Sequence, residues 1–253
     1  MMKKTLILSV AALAASELFA VQGTVSTSAE SFSGDVKWHA RDKKYVVEKG
    51  KITKEFKLAD VIDVEFAKPA GFDKAVQMVE GGQGAAAIPV LSKIVSEYRM
   101  LKWDKPAGRY LAMAHLAAGN AQKAYEACQP IVSEDKASAY TGDLAAAYWQ
   151  ALLKLGKNDQ LEGLLKKAAA SGDRPASAAA LVMRGDIIVT ASNDKPEELR
   201  RALTDGYLRV VLMYQDAPCA RERTEACLKA AQCFDKLGQS SRAEKLRAEA
   251  KAI

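Results

Sequence analysis

A recurring glycine is the feature that most constrains how this chain can fold. Gly82, Gly119 and Gly156 are spaced 37 residues apart, and Gly238 follows 82 residues after the third. Glycine adopts the left-handed conformation that closes a helix without strain. A fixed period of this length is typical of stacked helix pairs. We therefore predict a helical repeat of about 37–41 residues, with one unit near residues 192–195 that lacks its glycine.

The residues that follow these glycines support the same repeat. Ala87, Ala124 and Ala243 each lie five residues after a repeat glycine, and Leu161 takes that place in the third unit. An alanine there lets the two helices of a pair approach closely, because its side chain adds little bulk. The pattern predicts five helix pairs: 72–80 with 85–99, 106–118 with 121–133, 139–155 with 158–170, 175–191 with 196–214, and 220–237 with 240–251.

Residues 1–20 are predicted to be a signal peptide. Lys3 and Lys4 precede an apolar run from Thr5 to Ala15, and Ala20 is the first choice for cleavage, with Ala14 as the second. The run is too short to span a membrane, and no other stretch approaches 18 apolar residues. We expect an exported protein that is periplasmic, or alternatively secreted, with no transmembrane segment in the mature chain.

Two short segments precede the helices. Residues 21–34 are rich in Ser, Thr and Gly, and we expect a flexible linker there. Residues 35–68 are expected to form a small β segment, because apolar and polar residues alternate at 51–58 and again at 61–66. The predicted strands are 35–40, 44–48, 51–58 and 61–66, with the helical repeat domain spanning 70–253.

The repeat residues resemble those of tetratricopeptide-repeat (TPR) proteins. The resemblance is carried by Leu111-Ala112, Gly119 and Ala124, and more fully by Ala230-Ala231, Phe234, Gly238, Ala243 and Ala250. The stretch 207–250 is similar to the C-terminal repeats of periplasmic envelope proteins of the Tol-Pal cell-division coordinator type. The resemblance implies a mainly α protein, a right-handed helix-pair solenoid preceded by a small antiparallel β meander. It also implies that the chain binds other proteins.

The sequence contains no recognisable catalytic or cofactor-binding motif. The two histidines, His39 and His115, have no Cys, Asp or Glu at the spacing of metal ligands. Gly81-Gly82-Gln83-Gly84 lacks the Lys-Ser/Thr of a phosphate-binding loop and falls at a helix-pair turn. The net charge of +6 is interspersed with acidic residues rather than clustered. We therefore expect no enzyme, no cofactor, no metal and no nucleic-acid partner.

The four cysteines leave two alternatives open. Cys219 could form a disulfide with Cys227 or Cys233, since an oxidising compartment permits disulfides. Alternatively, these three residues and Cys128 are small buried residues of the helix packing.

The leading functional hypothesis is an interaction scaffold of the bacterial cell envelope. Stacked helix pairs form a groove lined by the first helix of each pair, and partner segments bind in such grooves. The candidate groove residues are Arg109, His115, Tyr148 and Arg184. The alternative is an envelope-binding module whose basic β segment contacts peptidoglycan or an anionic surface through Lys37, Arg41, Lys43, Lys44, Lys49 and Lys51. The partner is unidentified, and self-association through the β segment stays open.

Overall fold

A computed structural model of the chain describes residues 20–253. The predicted signal peptide lies outside these residues, except for its last residue, Ala20. The second-choice cleavage site after Ala14 also lies outside them. The described chain divides into two compact units, one ending at Val64 and the other running from Glu65 to Ile253. Within the described part, no helix combines the length and the apolar character needed to cross a membrane.

A five-stranded sheet forms the first unit. Its strands are β1 (Val21–Thr27), β2 (Ser31–His39), β3 (Lys44–Lys49), β4 (Ile52–Lys57) and β5 (Val61–Phe66), in the order β4-β3-β2-β1-β5. The first four form an antiparallel meander, and β5 returns to the free edge of β1. Trp38 pairs with Tyr45 and Tyr45 with Phe56, which places three buried rings side by side on one face.

The prediction of a flexible linker at residues 21–34 is wrong. Residues 21–27 are a strand, and β2 begins at Ser31 rather than at Asp35. The serines and threonines that suggested a linker instead pair across the two strands, with Thr24 bonded to Ser33 and Ser26 to Ser31 at 2.8 Å between hydroxyl oxygens. Val25 lies on the opposite face and is fully buried. The segment is ordered because one face is apolar and the other satisfies its own hydroxyl groups.

Helix pairs build the second unit. Its helices are α1 (Phe72–Glu80), α2 (Gly84–Glu97), α3 (Asp104–Ala117), α4 (Ala121–Glu134), α5 (Ala145–Lys154), α6 (Asn158–Ala170), α7 (Arg174–Ser192), α8 (Pro196–Ala202), α9 (Leu208–Met213), α10 (Ala220–Lys236) and α11 (Ser240–Ala252). A π-helical segment, Leu203–Tyr207, joins α8 to α9. The predicted fold class, a helix-pair solenoid that follows a small antiparallel sheet, is confirmed.

The repeat glycines close the first helix of four pairs in the same way. Gly82, Gly119, Gly156 and Gly238 have φ between 68° and 78°. The amide after each glycine donates a hydrogen bond to the carbonyl oxygen five residues earlier, at 2.7–3.0 Å. This bond satisfies a carbonyl that would otherwise be unpaired at the helix end. In the unit that lacks a glycine, Asn193 and Asp194 adopt the positive φ values instead.

The helices stack so that the first helices of successive pairs pack against one another. α1 contacts α3, α3 contacts α5, α5 contacts α7, and α7 contacts α10, whereas α2, α4 and α6 make few direct contacts with each other. Closer packing on one side bends a stack towards that side. The first helices therefore form one continuous layer of the array, which we call the inner face, and a partner groove on it stays a prediction.

Two glycines allow α7 and the π-helical segment to cross at close range. A Cβ atom on Gly206 of the π-helical segment would lie 2.8 Å from the backbone of Gly185 in α7. A Cβ atom on Gly185 would lie 2.4–2.8 Å from three ring carbons of Tyr207. Neither position has room for any side chain, so the two backbones are in direct contact.

The crossing can be tested with two alanine substitutions in neighbouring helices. Gly185→Ala forces a methyl group into the Tyr207 ring, and we expect it to lower the free energy of unfolding by about 2–3 kcal/mol. Gly163→Ala is the matched control, because a Cβ atom there meets nothing within 4 Å in the exposed middle of α6. We expect the control to stabilise the protein by up to about 1 kcal/mol. Urea unfolding followed by circular dichroism measures both, and equal effects would contradict the crossing.

Candidate partner-binding groove

The inner face between α5, α7 and α10 contains a groove with two depressions along it. One depression, of about 310 Å³, lies towards the C-terminal ends of the three helices, and the other, of about 380 Å³, lies towards their N-terminal ends. Each is lined by side chains from all three helices. The groove is therefore a product of the repeat stacking rather than of any single helix pair.

Asp186 is the centre of the C-terminal depression. Its carboxylate accepts hydrogen bonds from Gln150 Nε2 at 2.6 Å, from Tyr207 OH at 2.8 Å and from Lys229 Nζ at 2.6 Å. These donors come from α5, the π-helical segment and α10, so one carboxylate, only 10% exposed, holds three neighbouring elements together. A buried charge is tolerated only when it is paired and hydrogen-bonded, and Asp186 meets both conditions.

The environment of this cluster shifts the pKa of two of its members. Burial lowers the pKa of Lys229, but the carboxylates of Glu225 and Asp186 outweigh it and hold the pKa above its usual value. Burial, reinforced by the charge of Asp186, raises the pKa of Tyr207. At neutral pH, Lys229 is therefore a fixed cation and Tyr207 a fixed hydrogen-bond donor, and neither group can readily exchange a proton.

A second charged cluster lies at the N-terminal depression. Arg221 Nη2 is 2.6 Å from Glu222 Oε1, and Arg221 Nη1 is 3.2 Å from Asp143 Oδ1. Glu222 is among the few fully buried charged residues. Asp173 also lines this end and caps α7 by accepting a hydrogen bond from the Ala176 amide.

The groove is consequently polarised along its length. The N-terminal depression is lined by three carboxylates and one guanidinium group, from Asp143, Asp173, Glu222 and Arg221. The C-terminal depression is lined by three lysines and one carboxylate, from Lys154, Lys229, Lys236 and Asp186. A ligand with opposite charges at its two ends complements this arrangement.

The four candidate groove residues named from the sequence do not meet in this groove. For Tyr148 the structure corrects the prediction, because this residue is 1% exposed. Its ring stacks on Tyr125, and its hydroxyl oxygen accepts hydrogen bonds from Gln129 and Gln160. A buried ring between two repeats cannot contact a partner, and burial raises its pKa to about 12. The sequence could not show this, because Tyr148 lies on the first helix of its pair but points at α4 and α6.

The other three candidates are spread over different surfaces. Arg109 lies half-buried on α3, with its guanidinium carbon 5.1 Å from the centre of the Tyr110 ring. His115, also on α3, faces Lys123 and Glu126 of α4, and burial lowers its pKa. Arg184 is exposed on α7 but lines a cleft on the side facing α6 and α9. A partner contact at Arg109 or His115 stays a prediction.

Sequence reasoning missed the residues that build the groove. Asp186 is the single acidic residue between the apolar runs Leu181-Val182-Met183 and Ile187-Ile188-Val189, and the neighbouring Arg184 is exposed. A carboxylate inside an apolar helix needs a partner, and this signal was available. The partners themselves were not, because Gln150 and Lys229 lie 36 and 43 residues away.

The described residues show no group of histidine, cysteine or carboxylate side chains that could hold a metal ion. All four cysteines are free and buried. Burial raises the pKa of the Cys128 thiol to about 12, and those of Cys219, Cys227 and Cys233 to about 11. They are therefore protonated packing residues, the second of the two alternatives above.

No family model and no curated protein matches the chain. Among solved structures, a crystal structure of a putative kinesin light chain with nearly identical TPR-like repeats, from Podosopora anserina, is similar. It is 16% identical, with a TM-score of 0.41, over 72% of this chain and 92% of that chain. The helix-pair architecture follows from this chain's own packing, and nothing about its function follows from the likeness.

The Asp186 cluster can be compared with a surface ion pair of similar geometry. Asp186→Asn removes the carboxylate that three donors share and leaves the largely buried Lys229 with Glu225, at 2.7 Å, as its carboxylate partner, so we expect a loss of about 2 kcal/mol in the free energy of unfolding. Asp194→Asn removes the carboxylate 2.5 Å from Lys236, but that pair is half exposed, so we expect a loss below about 0.5 kcal/mol. Chemical denaturation at pH 7 measures both.

The pH dependence gives a second readout of the same cluster. Because the folded pKa of Lys229 is raised, its contribution is complete below the unfolded lysine pKa of about 10.4 and is lost as the pH rises through the folded value. The difference between the two substitutions should therefore be constant from pH 6 to 9 and become smaller as the pH rises above about 10.4. Equal losses for Asp186→Asn and Asp194→Asn would contradict the buried hub.

Proposed function

We propose that this protein is a non-enzymatic scaffold of the bacterial cell envelope that holds a segment of another protein in the groove of α5, α7 and α10. The observation that carries the proposal is a set of three polar side chains at the groove surface that have no partner among the described residues. Lys154, Thr190 and Gln232 are exposed there and make no side-chain hydrogen bond or ion pair to any described residue. Below them, the Asp186 cluster is rigid and internally satisfied, which is how a preorganised binding surface is supported.

The size and charge of the groove describe its occupant. From Asp173 to Thr190 the groove follows α7 for about 25 Å, at 1.5 Å per helical residue. An extended peptide covers that distance with about seven or eight residues. Acidic side chains near Lys154 and Lys236, and basic side chains near Asp143 and Glu222, would complement the charges at the two ends.

The compartment belongs to the same proposal. The N-terminal residues have the pattern of a signal peptide, and the repeats at 207–250 resemble those of periplasmic proteins of the Tol-Pal coordinator type. We place the protein in the periplasm, with secretion as the alternative. Cell fractionation of the native host tests the location independently of any partner.

The groove is tested by site-specific photocrosslinking in the native host. A photoreactive amino acid at Gln232, on the groove surface, is expected to give discrete adducts with one or a few envelope proteins. The same residue at Lys245, exposed on α11 and outside the groove, serves as the matched control. Mass spectrometry of the adducts identifies the partner, which the sequence leaves unidentified.

Charge reversal decides whether such adducts arise from the groove. The double substitution Lys154→Glu and Lys236→Glu changes the charge of one end, and we expect it to abolish the Gln232 adducts while leaving the fold unchanged, since both side chains are exposed. Identical adducts from Gln232 and Lys245, or adducts that persist after charge reversal, would show that the groove is not the binding site.

The second candidate function is contact with peptidoglycan or an anionic surface through the sheet. Two exposed basic turns favour it: Arg41 with Lys43 after β2, and Lys49 with Lys51 after β3. It is the weaker candidate, because Lys44 is paired with Glu55 at 2.8 Å. Lys37 is likewise paired with Glu48 at 3.0 Å, and residues 21–66 carry eight basic and eight acidic side chains. Self-association would use the free edges of β4 and β5.

Pelleting with purified cell wall tests this candidate. The two turns lie at opposite ends of the six-residue strand β3, about 20 Å apart, so each can be changed alone. If the sheet binds an anionic wall, Arg41→Glu with Lys43→Glu, or Lys49→Glu with Lys51→Glu, should reduce the pelleted fraction several-fold. Unchanged pelleting by both double variants would remove the candidate, and light scattering of the wild type reports self-association.

A further inference from the structure

The outer side of α7 contains a cleft that the interaction proposal does not use. Its walls are α6 and the α8–α9 segment, and its floor is α7. It lies on the side of α7 opposite the groove, between second helices of adjacent pairs that make few direct contacts. The cleft has a volume of about 660 Å³, which is in the range of sites that bind small organic molecules.

The floor of the cleft is apolar. It is formed by side chains of α6 and α7 that face one another across the trough, namely Leu165, Ala169, Ala180, Leu181, Ile187 and Ile188. Leu181, Ile187 and Ile188 are only partly buried, although they lie between three helices. Apolar side chains in a concave site favour an occupant that removes them from water.

The rim of the cleft carries an excess of positive charge. Glu162 is paired with Lys166 at 2.7 Å, and Asp205 with Arg201 at 3.5 Å, so both acidic residues of the rim are already neutralised. Arg184 and Arg209 also line the cleft, are exposed, and have no carboxylate within ion-pair distance among the described residues. Two guanidinium groups are therefore free to bind an anion above an apolar floor.

We propose that this cleft binds an amphiphile with a single aliphatic chain and an anionic headgroup, a carboxylate or a phosphate. The chain lies against Leu181 and Ile188, and the headgroup is bound by Arg184 and Arg209. The α6 wall lines the cleft from Asn158 to Ala169, about 16 Å at 1.5 Å per residue. An extended chain of about a dozen carbons spans this distance, at roughly 1.2 Å per bond.

The volume of about 660 Å³ lies within the range of small-ligand sites, and this favours an amphiphile over a helix from a partner protein. Charge complementarity alone would accept either occupant. An acidic amphipathic peptide is therefore included in the test as the competing ligand.

Calorimetric titration with four probes that share one chain tests the proposal. Dodecanoate, dodecyl phosphate, dodecanol and dodecyltrimethylammonium are added to the full-length protein below their micellar concentrations or, for dodecanol, below its solubility limit. We expect dodecanoate to bind with one site per chain, dodecyl phosphate to bind similarly, and the neutral and cationic probes to bind at least about tenfold more weakly. Equal binding of all four probes would overturn the role of the arginines.

Matched variants inside and outside the cleft test whether dodecanoate binds there. Arg209→Gln should weaken dodecanoate binding about three- to tenfold, whereas Arg200→Gln, exposed on α8 and outside the cleft, should leave it unchanged. Ala169→Trp fills the cleft from an exposed position and should abolish binding, while Ala170→Trp, which does not line the cleft, should not. The circular dichroism spectrum of each variant reports whether it is folded.

A photoreactive dodecanoate gives the location directly. Crosslinks are expected within 158–169, 177–188 and 201–209, the three segments that line the cleft. Crosslinks confined to other segments would overturn the proposal, as would binding of an acidic amphipathic peptide at the cleft without binding of dodecanoate. The groove variants Lys154→Glu and Lys236→Glu should bind dodecanoate normally, so this proposal and the interaction proposal can fail separately.

Discussion

The helical unit depends on the contact between the backbones of Gly185 and Gly206. Because neither residue has a side chain, α7 and the π-helical segment can touch, and a Cβ atom on either would fall within 3 Å of its neighbour. The contact brings the Tyr207 ring over α7 and its hydroxyl to within 2.8 Å of Asp186. An extra residue per turn in the π-helical segment keeps Tyr207 directed inward while Asp205 faces the outer side.

This crossing gives α7 two chemically different sides. On the inner side, the Asp186 carboxylate accepts three hydrogen bonds and its charge is matched by Lys229. The hydrogen-bonding groups of this polar cluster are therefore satisfied within the protein. On the outer side, apolar residues remain partly exposed beneath Arg184 and Arg209. Satisfied buried charges specify how the helices stack, whereas unsatisfied exposed ones are available to ligands.

Much of the fold could be predicted from local patterns, and much of the site could not. The helix pairs could be predicted from the spacing of Gly82, Gly119, Gly156 and Gly238. At each of these glycines the helix closes locally, because the amide of the next residue donates a hydrogen bond to the carbonyl oxygen five residues before it. Strand β1 was missed because its serine and threonine hydroxyls resemble a solvated linker until a partner strand satisfies them. Tyr148 was misassigned because helical periodicity does not say which neighbour a face meets.

The sequence by itself determined that this chain consists of repeated helix pairs and where their first helices end, although the predicted helix 139–155 begins only at Ala145 and 196–214 is interrupted by a π-helical segment. Those signals are local, because capping, turn formation and helical periodicity act over one or two turns. The tertiary structure decided which side chains meet, since Gln150, Asp186 and Lys229 come from three different pairs. The angle at which successive pairs stack brings them together, and that angle is set by close contacts such as Gly185 on Gly206, between residues 21 positions apart in the chain.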